Sequence, residues 1–424
     1  MIRTARTLRI LLILTTFLSV TGKLTAQDDV YLEIYAKTFQ RMQIDLYGFQ
    51  AHDNAPDADK RAMVIQDVLK NDLWMSGYFS ITLRDSAASN GLAGNPIANL
   101  GGLFRSDQGK ITIQPHLIDN VSGHTILRSD YSGREEDIRA ILHKISDDIV
   151  FSLTGEQGIA RSKVAYVIQL ADGSKEIAVM DYDGLNSRVL TSDKSINISP
   201  AWSPDGSRLC YTSFKNDNPD LFVYNLKTST QVKVSSISGL NSAPSWSPDG
   251  NKIALTLTQD GNAEIYILDI EKRNLRRITY NGGIDSSPSW APSNREMAFT
   301  SDRSGSPQVY IMDSDGLNVR RLTFEGSYND SPAWSPRGDR IAYVSRTESG
   351  FDIYAIDVTG ENRMRLTDSS GANENPKWSP NGYALIFSSN RDGRRGLYSM
   401  FWDGTDQKKL TIGPISYSPA WSLR

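Results

Sequence analysis

The chain has 424 residues, 39% hydrophobic and 22% charged, with a formal net charge of −3. This composition excludes a disordered or membrane-embedded protein, and at about 150 residues per domain the length gives two or three units, fewer if a repeat merges them. The acidic balance argues against non-specific nucleic-acid binding, and the single cysteine, Cys210, rules out an internal disulfide.

Arg3, Arg6 and Arg9 precede an apolar run over residues 10–20, and Leu24-Thr25-Ala26 offers a small-residue cut before Gln27. Residues 1–26 therefore read as a secretory signal peptide; a membrane span needs about 20 apolar residues, roughly twice this run. A lipid anchor on the mature end would need a cysteine just after the cut, so the exported chain is expected to be free of the membrane. Losing Arg3, Arg6, Arg9 and Lys23 leaves 42 basic against 49 acidic residues, a net charge of −7.

Residues 27–157 read as a small α/β domain. Ala62, Ile65, Val68 and Leu69 share one helical face within 57–70, and Ile138, Ile141, Leu142, Ile145 and Ile149 do so within 137–153. Strands are expected over 30–35, 42–49, 79–83 and 110–118. The glycine-bearing stretch 86–107 shows no period and reads as a surface loop.

From residue 158 to 424 a fixed period governs the chain. Trp202, Trp246, Trp290, Trp334 and Trp378 stand 44 residues apart, and Trp421 follows after 43. Asp181, Asn225, Asp269, Asp313 and Asp357 keep the same interval, as do Thr191, Ser235, Thr279, Thr323 and Thr367. Each period holds four short strand-like segments, seen at 199–203, 208–214, 220–226 and 231–235, which is the unit of a β-propeller blade. The turn Pro204-Asp205-Gly206 calls for positive φ at its glycine; Gly250, Gly338 and Gly382 fill the same slot, and Asn294 replaces it once.

Strand-like segments at 163–170, 176–181 and 188–191 precede the first Trp motif, so the first blade lacks an opening strand. Residues 417–423 form an opening strand with no followers. The fold expected is mainly β: a six-bladed propeller closed by its C-terminal strand, which removes the exposed edges.

All four histidines, His52, His116, His124 and His143, fall before the repeats, and no Gly-x-Ser-x-Gly or phosphate-loop motif occurs. The propeller is thus read as binding and not catalysing, with no cofactor. The Trp and Asp series, repeated once per blade, read as scaffold and turns; specificity should lie where repeats differ.

The segments that differ most lead into each opening strand and converge on one mouth of the channel. They hold Asp193, Asp285, Glu325, Asp330, Asp368 and Glu374 against Lys194 alone. That mouth reads as acidic, with a basic opposite face carrying Arg273, Arg276, Arg277, Arg320, Arg321, Lys408 and Lys409, a polarity suited to an oriented partner. An acidic mouth also admits a divalent cation.

Over nearly the whole chain the sequence resembles the TolB family of the Tol-Pal cell-envelope system. The likeness rests on residues 150–155 (Val-Phe-Ser-Leu-Thr-Gly), Ile159-Ala160-Arg161, Val164-Ala165-Tyr166-Val167, the Ser-Pro-x-Trp-Ser-Pro-Asp-Gly repeats and Pro419-Ala420-Trp421-Ser422. The order of signal peptide, α/β domain and propeller adds to it. The resemblance implies a periplasmic scaffold for outer-membrane integrity and constriction at division. Its propeller mouth would bind a Pal-like peptidoglycan-associated lipoprotein through Asn241, Ser242, Ala243, Ser286 and Ser287. Asp285, Asp330 and Glu374 join them as candidate partner-binding residues. Residues 27–34 would address a TolA-like inner-membrane protein. Leu240 stands where the family pattern has a histidine, and residues 91–108 read as short of a hydrophobic strand usual there. A carbohydrate- or peptidoglycan-binding propeller is the alternative function.

Overall fold

The computed structural model describes residues 41–52, 57–84, 95–368 and 370–423. The signal peptide, the strand expected over 30–35 and the segment 27–34 lie outside them.

Strands β1 (Met42–Ala51), β2 (Phe79–Arg84), β3 (Ala98–Asp107), β4 (Lys110–Asp119), β5 (Thr125–Arg128) and β6 (Tyr131–Arg134) form one mixed sheet. Its order is β2-β1-β3-β4-β5, with β6 also on β4; β1 runs parallel to β2 and β3, while β3 and β4 form an antiparallel pair. Helices α1 (Ala58–Met75) and α2 (Ile138–Thr154) bury Ile65, Leu69, Leu73, Leu142, Ile145 and Ile149 against Ile44, Leu46, Leu100 and Ile113 of the sheet. Gly155 ends α2 at φ 74, its N–H closing on the Phe151 carbonyl, the left-handed cap that glycine adopts without strain.

Strand β3 corrects the surface-loop reading of 86–107, and with it the view that 91–108 lacks a strand. Residues 98–107 pair with both β1 and β4 in the middle of the sheet. Gly101-Gly102 reads as a breaker in sequence, but a Cβ on Gly102 would lie 2.3 Å from the Gln114 carbonyl oxygen and 2.6 Å from the Phe49 ring. The glycine is demanded by close packing across the sheet.

Residues 163–421 form six four-stranded antiparallel sheets. Naming strands a to d from the axis outward, blade 2 comprises Asn197–Trp202, Arg208–Ser213, Asp220–Asn225 and Thr230–Ser235. Blades 3 to 6 repeat it, opening at Asn241–Trp246, Asp285–Trp290, Asn329–Trp334 and Asn373–Trp378. Blade 1 is composite: β7 (Lys163–Gln169), β8 (Lys175–Asp181) and β9 (Arg188–Val189) receive strand a from the C-terminal segment Ser416–Trp421. Tyr417 pairs with Val167, and Trp421 with Val164.

Trp421 packs on Ala384, Ile386 and Leu397 of blade 6 and donates its indole N–H to Ser162 Oγ at 2.8 Å. Trp202 and Trp378 reach the preceding blade in the same manner, donating to the carbonyls of Ala420 (3.1 Å) and Ala333 (2.9 Å). These three seams combine a large apolar side chain with a satisfied polar tip. The hairpin slots adopt positive φ as expected: 66° at Gly206, 73° at Gly250, 62° at Asn294, 80° at Gly338 and 74° at Gly382.

Candidate docking face and central channel

Strand a runs outward from one mouth of the channel, so the d–a and b–c connections share that mouth and the a–b and c–d turns share the other. The α/β domain packs on the second face. Asn381, in an a–b turn, donates to the Ser76 carbonyl at 2.7 Å, and Trp74 donates its indole N–H to Asp406 in a c–d turn at 2.9 Å. Between the domains the buried Asp72 carboxylate accepts from Tyr182 Oη at 2.5 Å and contacts His143 Nδ1 at 2.8 Å, while Asn71 donates to Tyr182 Oη at 2.9 Å. Burial beside Asp72 pushes the Tyr182 phenol well above its ordinary range. Among the described residues no helix or sheet of the α/β domain packs on the d–a mouth.

Four of the acids expected at the open mouth are paired with cations. The b–c turns bring cations to the same face: Lys215 lies 3.4 Å from Asp193, Arg303 2.8 Å from Asp285, and Arg395 pairs with Glu374. Arg363 reaches Glu325 at 2.9 Å. The basic opposite face also fails in part, because Arg277 ends its outer strand on the mouth side, bound to Glu264 and Asp260 at 2.8 and 3.0 Å, and Lys409 meets Asp392 at 3.0 Å. Loop counting considered the d–a segments alone and missed their partners on the neighbouring turns.

Two of the candidate partner-binding residues are structural. Asn241 and Asp285 are fully buried. They belong to a set repeated at 44-residue spacing, Asn197, Asn241, Asp285, Asn329 and Asn373, which opens each strand a. Asn197 donates to Glu176 at 2.8 Å, Asn329 to Gln308 at 2.8 Å and Asn373 to Asp352 at 3.0 Å; Asn241 accepts from Ser235 Oγ at 2.7 Å. Thr191, Thr279, Thr323 and Thr367 join the same networks, each hydroxyl bonding the acid or amide that opens strand c. Asp285 accepts from Asn281 and Arg303, yet burial raises its pKa above the usual carboxylate range. This series had the same signal as the tryptophans, a 44-residue interval, and places these side chains out of a partner's reach.

The remaining candidates do face the mouth or channel. Asp330 is half-buried, accepting from Thr300 Oγ1 at 2.8 Å and Tyr328 Oη at 3.1 Å, and Glu374 is held by Arg395. Ser242 and Ser286 are half-buried on strand a, and Ala243 and Ser287 line the channel. What sequence reading missed is apolar. Ile412 (93% exposed), Tyr280 (74%), Phe324 (73%), Ile284 and Ile196 all stand on d–a segments around this mouth.

Inside the channel every strand a carries a bulge. In blade 2 the register slips between Ile198 and Ala201, and the same slip recurs in all six blades. Ser199, Ala243, Ser287, Ser331, Asn375 and Ser418 sit there at φ between 47° and 56°, each followed by proline. Proline is tolerated because strand a is the inner edge and needs no ladder N–H at the bulge. These twelve residues line a cavity of about 120 Å³. Below it a second space of about 260 Å³ is walled by the six tryptophans, prolines and Leu423.

The geometry defines a class: a closed six-bladed propeller with an α/β domain packed on its a–b face. A sequence model described as the TolB β-propeller domain matches residues 151–424, and the chain belongs to that family. It is 35% identical over 194 residues to the Tol-Pal system protein TolB of Bordetella pertussis, covering 43% of this chain and 43% of that one. With the Tol-Pal system protein TolB of Desulfosudis oleivorans it shares 37% identity over 234 residues, 51% of this chain and 53% of the relative. The chain thus spans about half the length of the curated relatives it matches. The crystal structure of TolB from Acinetobacter baumannii superposes with a TM-score of 0.76 at 29% identity, covering 90% of this chain and 97% of that one. Among the described residues no helix is long and apolar enough to cross a membrane, and no group of three or more His, Cys, Asp or Glu residues is placed to hold a metal ion.

Proposed function

We propose that this chain is a periplasmic, non-catalytic docking scaffold of the Tol-Pal type, binding a Pal-like peptidoglycan-associated lipoprotein at the d–a mouth. In this reading it also addresses a TolA-like inner-membrane protein through residues 27–34, and so serves outer-membrane integrity and constriction at division. The observation that carries the docking face is the set of exposed apolar side chains, Ile196, Tyr280, Ile284, Phe324 and Ile412, on the mouth left open by the α/β domain. Large apolar side chains ringed by paired charges are the usual make-up of an interface centre and its rim. The relatives' shared name supplies the partner class.

The test is titration calorimetry with the Pal homologue of the source organism. The double variant Tyr280→Ser/Phe324→Ser should weaken binding at least tenfold, whereas Met63→Ser, an exposed apolar change on α1, should leave it within twofold. Equal affinities for wild type and double variant would move the docking site elsewhere. Absence of Pal binding with retention of peptidoglycan fragments would instead favour the carbohydrate module.

A further inference from the structure

Position 377 breaks the six-fold pattern of the channel wall. Its equivalents in the other blades are Ala201, Ser245, Ser289, Ala333 and Ala420, all small and uncharged. Lys377 alone carries an ammonium, and it lines both the upper cavity and the tryptophan-walled space below. No carboxylate lines either one. Among the described residues Lys377 makes no ion pair, and burial pushes its ammonium below the ordinary lysine range.

The surrounding groups can donate hydrogen bonds to a bound acceptor. The hydroxyls of Ser199, Ser287, Ser331 and Ser418 line the same cavity, and none bonds another described residue. Asn375 adds an amide whose oxygen lies 3.1 Å from Ser388 Oγ and whose NH₂ is a further donor. A half-buried ammonium with no counter-charge is costly to desolvate, and the same charge beside hydroxyl donors stabilises an oxyanion. The cavity of about 120 Å³ has room for roughly four waters at ~30 Å³ each, or for one small anion that displaces them.

We propose that the channel is an anion site: Lys377 and the serine ring hold one small oxyanion, a carboxylate or a phosphate-class group, midway along the propeller axis. The proposal is independent of which partner docks at the mouth. It also makes the channel interior unfavourable for a divalent cation, since Lys377 already occupies that position with positive charge.

The full chain is titrated with sodium acetate, sulfate and phosphate at constant ionic strength, reading the thermal unfolding midpoint and, in a ¹⁵N-lysine sample, the Lys377 Nζ resonance. Wild type should gain several degrees with at least one of these anions and show a saturable shift of that resonance; the strongest responder separates carboxylate from phosphate or sulfate as the preferred class. Lys377→Met, which keeps the stem, and Lys377→Ser, the residue of blades 3 and 4 at this position, should lose the anion response. An identical response in wild type and the folded variants, or an Nζ resonance that no anion shifts, overturns the site.

Discussion

The two faces of the propeller are built from the same repeat yet end in opposite conditions. On the a–b face the turns meet the α/β domain through directional contacts: Asp72 joins Tyr182 and His143 in the dry interior, Arg139 pairs with Asp183, and Asn381 bonds the Ser76 carbonyl. On the d–a face the charges close on one another within the ring and leave apolar side chains in water. The contrast teaches that a repeat fixes the frame of both faces, while the face packed on the α/β domain gains directional polar and aromatic contacts and the d–a face leaves apolar side chains exposed.

The sharpest way to break this comparison is at the seam that both faces share. Trp421→Ala removes the ring closure and should cost about 3–5 kcal/mol in urea unfolding. Trp334→Ala, at an internal seam, serves as its reference; a closing-strand loss below ~1 kcal/mol would mean that the ring does not depend on closure. Next comes Asp72→Ala, which strips the acceptor from buried Tyr182 and His143 and should cost about 2–4 kcal/mol. It should also raise protease sensitivity between the domains; unchanged stability would make the a–b contact incidental.

Gly102→Ala should cost about 1–3 kcal/mol, because a Cβ there meets the Gln114 carbonyl at 2.3 Å in the middle of the sheet. On the open face Tyr280→Ser and Phe324→Ser should shift stability by no more than about 0.5 kcal/mol each, since both rings are mostly exposed and their contacts are to the surface arginines Arg277 and Arg321. A large destabilisation would show that these residues hold the propeller and do not wait for a partner.

The smallest effect is in acid. Partial burial raises the Asp205 pKa, but the hydroxyls of Ser203 and Ser207 and the Ser207 N–H outweigh it and bring it down to about 2. A carboxyl lowered in the folded state adds stability that is complete above its unfolded pKa of about 3.9 and is lost as pH falls through 2. Asp205→Asn should therefore flatten the pH dependence between about 4 and 2 and leave neutral-pH behaviour nearly unchanged. A slope identical to wild type in that window would remove Asp205 from the acid response.

Much of the propeller was readable because each blade makes the same demands at the same interval. Tryptophan must fill each seam, glycine or asparagine must accept positive φ, and the closing strand must supply blade 1. The α/β domain was less legible. Gly101-Gly102 looks like a break in a strand until Phe49 and Gln114 are seen pressed against it. The site was legible only in position: the d–a segments were located, yet Asn241 and Asp285 proved to be interior, and the exposed Tyr280 and Phe324 went unnoticed.

By itself the sequence determined the number of blades, the turn conformations and the closure, since these follow from local sterics and from a period that any neighbouring copy must match. Only the tertiary structure decided which charges cancel, which asparagines are buried and where the lone channel lysine stands. Those depend on side chains from different blades and loops meeting in space, and a linear count of charges carries no information about which of them share a face.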